Sequence, residues 1–120
     1  VAISAERNSR LPPSFDDTDA SFVADGYILL ATNNLPHSLS LWVSRTTTGG
    51  GLLVRFSSTS TGQGWCVDLL GFSSAGRVIA VVWPGSGEIT GPILPVNTWT
   101  HLAYTYSMSN GLRLYVNGTL

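Results

Sequence analysis

Apolar and polar residues alternate in short runs along most of this chain. Over Ser38–Ser44 (SLSLWVS), Leu39, Leu41 and Val43 fall on one side, while Ser38, Ser40, Trp42 and Ser44 fall on the other. A period of two is that of a strand, whose successive side chains point to opposite faces. Further runs of this kind are LLVRFSS, WCVDLLGF, RVIAVVW, WTHLAYTYS and LRLYVNG, and SFVA and YILLA flank the turn dipeptide Asp25-Gly26. Between them lie the turn-forming stretches TTTGGG, STSTGQG and SSAG, and the longer PGSGEITGPILPVN, which reads as a Pro/Gly-punctuated connection. No apolar stripe of helical period runs through any of these stretches. The pattern predicts an all-β chain of about eight or nine strands, with turns every ~8–12 residues, as in a two-sheet sandwich.

The last hairpin allows a register to be chosen. A two-residue Asn110-Gly111 turn sets Leu114 across from Ser107 and Val116 across from Thr105. A three-residue loop over Ser109–Gly111 pairs Met108 with Leu112, Tyr106 with Leu114 and Tyr104 with Val116. A slip of one residue turns every side chain to the other face, so the register that gathers the apolar groups is favoured. That is the three-residue loop, with Gly111 in the left-handed conformation. Leu39, Leu41, Val43, Leu102, Tyr104, Leu114 and Val116 are then expected in the core.

Composition narrows the classes of partner. The 120 residues suit one domain at most, and 43% apolar residues can build a real core. Charged residues make up only 11%, against the ~25% usual for soluble proteins. The net charge is −1 and the six basic residues, all Arg, are scattered. No electrostatic footprint for nucleic acid and no polybasic membrane patch results. No apolar run reaches the ~18 residues of a membrane-spanning helix, so membrane insertion is not expected. The opening VAISAERNSRLPPSFDDTDA has paired prolines, mixed charge and no sustained period. Residues 1–19 therefore read as a linker or extended lead-in, and residues 20–120 as the domain. Without a starting Met or an apolar leader, the chain is expected to be a processed or excised piece of a longer one. Cys66 is the single cysteine. It supports neither a disulfide framework nor a thiolate metal site, and a buried free thiol is the expected state.

SLSLWVS, then GW before a strand, then NTWTHLAYTYS, then NGLRLYVNG resembles, in that order, the laminin G-like branch of the concanavalin A-like lectin/glucanase superfamily. The likeness runs from about Ser21 to Leu120. It implies a jelly-roll sandwich of two antiparallel sheets. It also implies several strands beyond the last Asn-Gly turn, so the final strand is expected to expose an edge that the continuing chain or a neighbouring molecule covers by strand addition.

Because the superfamily includes glycoside hydrolases, acid pairs come first among candidate sites. Glu6, Glu88 and Asp68 are isolated, and no two acids share a strand at close spacing. His37 follows Pro36, and His101 lies in the strand motif of the resemblance. No catalytic arrangement can be assigned, and no glycosidase activity is expected. Asp16, Asp17, Asp19 and Asp25 cluster in FDDTDASFVADG, where oxygen ligands would suit calcium. The spacing is not that of an EF-hand, and a solvated acidic lead-in is the competing reading. Trp42 and Trp99 coincide with framework positions of the resembled family. Trp65 and Trp83 border Gly-rich loops, and Arg113 shares a strand face with Tyr115. These four are the candidate ligand contacts, since an aromatic ring stacks on the C–H face of a sugar while Arg reads its hydroxyls. Asn117-Gly118-Thr119 is an N-glycosylation sequon, and equally a turn that ends the strand.

The function expected from these features is a non-catalytic recognition or adhesion module, extracellular or at the cell surface, that binds glycan or an extracellular protein. The alternative is a structural building block packed against neighbouring chains. The fold by itself does not decide between them.

Overall fold

The computed structural model describes residues 2–4, 35–59, 65–83 and 87–120. The SFVA and YILLA runs, Glu6 and the acidic cluster Asp16, Asp17, Asp19 and Asp25 lie outside the described residues. The described residues form eight strands: β1 (Ala2–Ser4), β2 (His37–Ser44), β3 (Gly51–Ser57), β4 (Cys66–Phe72), β5 (Arg77–Val82), β6 (Gly87–Ile93), β7 (Thr100–Ser107) and β8 (Gly111–Val116). They form two four-stranded antiparallel sheets, ordered β1-β2-β7-β8 and β3-β4-β5-β6. No helix occurs among the described residues. The all-β sandwich expected from the alternation is the observed fold.

Two segments depart from the pattern reading. Ala2–Ser4 lies in the stretch read as a lead-in, yet it pairs with β2, setting Ile3 opposite Val43 and Ser4 opposite Trp42. Three residues are too few for periodicity to reveal a strand, so only the pairing identifies it. PGSGEITGPILPVN is not merely a connection, because Gly87–Ile93 within it forms β6 against β5. Among the described strands β6 pairs with β5 alone, and Pro92 falls where that pairing is irregular, between the Arg77–Ile93 and Ile79–Thr90 pairs, both of which favour a proline.

The inner faces of the two sheets make one core. Val43, Leu102, Tyr104 and Leu114 come from the first sheet and Leu69, Leu70, Val78, Ala80 and Val82 from the second. Of the seven residues expected there, Leu41, Val43, Leu102, Tyr104 and Leu114 are buried. Leu39 and Val116 are half-buried and pack against the core from its margin. Leu69 and Leu70 are adjacent, yet each is only 1% exposed. A bulge explains this: Val54 pairs with Leu70 and Arg55 with Asp68, so Leu69 has no partner and both leucines turn inward.

The last hairpin differs in register from the expected one. Ser107 pairs with Gly111, Tyr106 with Leu112, Tyr104 with Leu114 and Leu102 with Val116. The loop is Met108–Asn110, and its Met108 is exposed rather than opposite Leu112. Ser107 organises it, since its Oγ accepts a hydrogen bond from the Asn110 N–H at 3.1 Å. The shift is an even number of residues, so the apolar groups keep their face. Gly111 has φ +70°, the expected left-handed state.

Where β6 crosses β8 the sheets come closest. A Cβ on Gly91 would stand 2.8 Å from Leu114 Cδ2 and 3.4 Å from Val78 Cβ. Gly91→Ala should therefore lower unfolding stability by about 1–3 kcal/mol through overpacking. Chemical denaturation would show a reduced midpoint with an unchanged slope. A midpoint equal to wild type would mean that the sheets can separate there at no cost.

Just beyond β2, Arg45 is 2% exposed. Its guanidinium donates to the carbonyls of Thr47 (3.2 Å), Gly76 (2.7 Å) and Gly49 (2.8 Å) and lies 4.3 Å from the Phe72 ring centroid. Its own carbonyl accepts from the Asn97 N–H at 2.6 Å. The side chain thus ties the β2–β3 loop to the β4–β5 turn, while the backbone of the same residue holds the connection that precedes β7.

Candidate functional site

The outer face of the β1-β2-β7-β8 sheet carries the polar half of each alternating strand. On β2 this half is Ser38, Ser40, Trp42 and Ser44; on β7 it is His101, Ala103 and Thr105; on β8 it is Arg113 and Tyr115. Register sets these residues in rows: Trp42 beside His101, Ser40 beside Ala103 and then Tyr115, Ser38 beside Thr105 and then Arg113. The middle of the face is floored by small side chains, and the large ones stand around it. Trp42 is 44% exposed, and its ring packs on His101 with centroids 5.2 Å apart and planes tilted by 55°. Arg113 is exposed and Tyr115 half-buried. Tyr115 and Arg113 are two residues apart on one strand face, about 6–7 Å along β8.

This placement corrects the framework reading of Trp42 and Trp99. Both are more than two-fifths exposed, at 44% and 43%, and neither belongs to the core. Trp42 lies on the solvent face because Leu41 and Val43, its neighbours in the alternation, fill the buried one. Sequence reasoning therefore missed Trp42 and His101 as members of the site. The available signal was the serine row of β2, since only a water-facing side accepts Ser at every second position.

The four aromatic and basic candidates separate into two places. Arg113 and Tyr115 share the face just described. Trp65 and Trp83 stand together at the other sheet, where β4 begins and β5 ends. Their rings meet edge to face, centroids 5.5 Å apart and planes at 88°. That contact occupies part of the ring surface that a sugar would use.

Asn117 closes β8 in a tight turn with Gly118, at φ of 50° and 81°. Its Oδ1 accepts the His101 N–H at 3.0 Å, and its own N–H donates to the His101 carbonyl at 2.9 Å. The turn reading of the Asn-Gly pair is thus realised. Asn117 is also exposed, at the end of the row that holds Trp42 and His101.

The described carboxylates do not form a catalytic pair. Asp68 is held by Arg55 across β3 and β4, with oxygens 2.6 Å from Nε and 3.3 Å from Nη2. This hydrogen bond and the carboxylate charge raise the Arg55 pKa above its ordinary value. Glu88 sits on β6 opposite Val81, so β5 separates it from β4 and Asp68. A depression of about 260 Å³ on the second sheet is bordered by Leu52, Asp68, Gly71, Ile79 and Val81 and is mainly apolar. Among the described residues no three His, Cys, Asp or Glu side chains converge to hold a metal. The acidic cluster proposed for calcium falls outside them. Cys66 is exposed at the start of β4, not buried as expected, because its parity puts it on the same outer side as Asp68.

A family model for the concanavalin A-like lectin/glucanases superfamily matches residues 16–120. The chain belongs to this superfamily. Comparison with curated proteins and with solved structures gives no match. The sandwich and the order of its motifs are therefore those of a concanavalin A-like domain.

Proposed function

We propose that this concanavalin A-like domain is a non-catalytic, extracellular recognition module that binds glycan on the outer face of the β1-β2-β7-β8 sheet. The observation that carries the reading is the exposed Trp42, packed beside His101 and followed by Tyr115 and Arg113, around a floor of Ser40 and Ala103. A ring platform beside small residues accommodates the flat C–H face of a pyranose, and the polar rim supplies donors for its hydroxyls. The superfamily also contains glycosidases, but their chemistry needs two carboxyl groups flanking the bond. Here Asp68 is engaged by Arg55, and both described acids belong to the opposite sheet.

Binding of the full chain to an immobilised glycan panel tests this. Trp42→Ala should weaken whatever glycan is retained by about tenfold, the scale of one lost ring platform. Its unfolding stability should stay within about 0.5 kcal/mol of wild type, since Trp42 packs outside the core. Retention unaffected by Trp42→Ala would move the function away from this face.

One observation favours a second reading, that of a structural building block. Among the described strands β8 pairs with β7 alone, so Leu114 and Val116 lie on a sheet edge. The Val116 N–H already donates to the Thr119 carbonyl at 2.9 Å, so a neighbouring chain adding a strand there would newly protect the Leu114 amide from hydrogen exchange. Exchange that is equally fast at low and high protein concentration would count against it.

A further inference from the structure

We infer that the glycan recognised by this face is anionic, and that its charge is the carboxylate of a uronic acid unit read by Arg113. The inference rests on the outer-face reading above and adds to it the chemistry of the ligand. Arg113 is exposed and forms no ion pair among the described residues. The other described arginines are occupied: Arg45 by carbonyls in the interior, Arg55 by Asp68, and Arg77 by the Gly91 carbonyl at 3.3 Å. Both described side-chain carboxylates, Asp68 and Glu88, stand on the opposite sheet. The face thus holds an unneutralised guanidinium, a histidine, two aromatic rings and hydroxyls, and no described acid.

Position favours a charge carried on a sugar ring. Tyr115 and Arg113 project from the same side of β8 about 6–7 Å apart. A ring resting on Tyr115 directs a carboxylate attached to its own frame toward Arg113, whose planar fork donates to both of its oxygens at once. Beyond Tyr115 the face continues past Ala103 and Ser40 to His101 and Trp42, so a short oligosaccharide fits better than one sugar.

The test is calorimetric titration of the full chain, prepared without N-glycosylation so that Asn117 at the rim is bare. The probes are a galacturonate tetramer, the galactose tetramer of the same linkage, a sulfated galactose tetramer and tetraglutamate. At low salt the galacturonate tetramer should bind at least about tenfold tighter than its neutral counterpart, the scale of one charge-assisted pair. That ratio should shrink as salt rises and should collapse in Arg113→Gln, while the melting transition of this variant matches wild type. Trp42→Ala should weaken both tetramers alike. Equal binding of the two tetramers, still dependent on Trp42, would overturn the anionic assignment and leave the glycan face standing. So would tighter binding of the sulfated tetramer, or tetraglutamate binding as well as galacturonate. No binding by any tetramer, together with glycan-panel retention indifferent to Trp42→Ala, would overturn the face itself.

Discussion

Arg45→Ala should destabilise the domain by about 3–5 kcal/mol, a large part of the ~5–15 kcal/mol available to a fold of this size. The substitution removes donors from the carbonyls of Gly76 and Gly49, each costing about 1–3 kcal/mol if left without a partner. It also opens a space beside Phe72, over which the guanidinium rests. A buried ion pair can often be exchanged for apolar residues without loss, because both partners leave together. That escape is closed here, since the acceptors belong to the backbone. Arg45→Met should therefore also be costly, and Arg45→Lys should recover only part of the loss, because a single ammonium cannot reproduce the fork. Gly76→Ala approaches the same joint from the other side. Gly76 has φ +77°, and a Cβ there would lie 2.6 Å from the Thr48 carbonyl oxygen and 3.0 Å from the Arg45 guanidinium. It should cost at least about 2 kcal/mol, and the double variant should lose less than the sum of the singles. Denaturant melts measure all five variants. A loss below about 1 kcal/mol in Arg45→Ala would show that the β2–β3 loop and the β4–β5 turn hold together without its side chain.

Tyr104→Ala should cost about 3–5 kcal/mol, as removal of a large core ring does. Tyr104 is fully buried at the centre of β7, and its ring meets the His37 ring edge-on with centroids 5.6 Å apart. The hydroxyl has its own role. His37 Nδ1 lies 2.8 Å from the Leu35 carbonyl, which can only accept, so the ring proton sits on Nδ1. His37 Nε2 is then the acceptor for the Tyr104 hydroxyl at 3.1 Å. Tyr104→Phe keeps the ring and leaves that nitrogen without its donor, at about 1–2 kcal/mol.

Burial also raises the Tyr104 pKa well above its ordinary value of 10.0. Below about pH 10 the phenol is protonated in both the folded and the unfolded chain, so it contributes no pH dependence. Above that, the unfolded chain releases the proton and the folded one retains it. Stability should then fall as pH rises, by up to about 1.4 kcal/mol per pH unit. Melts of wild type between pH 9 and 11 should show this slope, and Tyr104→Phe should flatten it. Parallel slopes in the two proteins would assign the alkaline loss to other groups.

Much of this was legible in the alternation of side chains. Leu41, Val43, Leu102, Tyr104 and Leu114 are buried because each is the apolar member of an alternating pair, and that is a local property. The same alternation placed Arg113 with Tyr115, and Trp42 opposite Leu41. Trp42 was nevertheless read as framework, because a tryptophan suits either a core or a platform and identity alone does not choose. Five features stayed out of reach: β1 within the lead-in, β6 in a Gly/Pro-rich stretch, the bulge at Leu69, the Met108–Asn110 loop, and the burial of Arg45. Each depends on which strand lies alongside, a relation between residues distant in sequence.

The sequence by itself determined the strand type, the two-faced character of each strand and the family to which the chain belongs. Period two and the order of the motifs need no knowledge of neighbours. Only the tertiary structure decided the rest. Pairing of β2 with β7 and of β7 with β8 brought Trp42, His101, Tyr115 and Arg113, separated by up to seventy-odd residues of chain, onto one surface. The packing of sheet on sheet left no water for the Arg45 guanidinium, so carbonyls from separate loops took its place. Side-chain direction is set by local backbone geometry, whereas proximity and burial are set by long-range pairing.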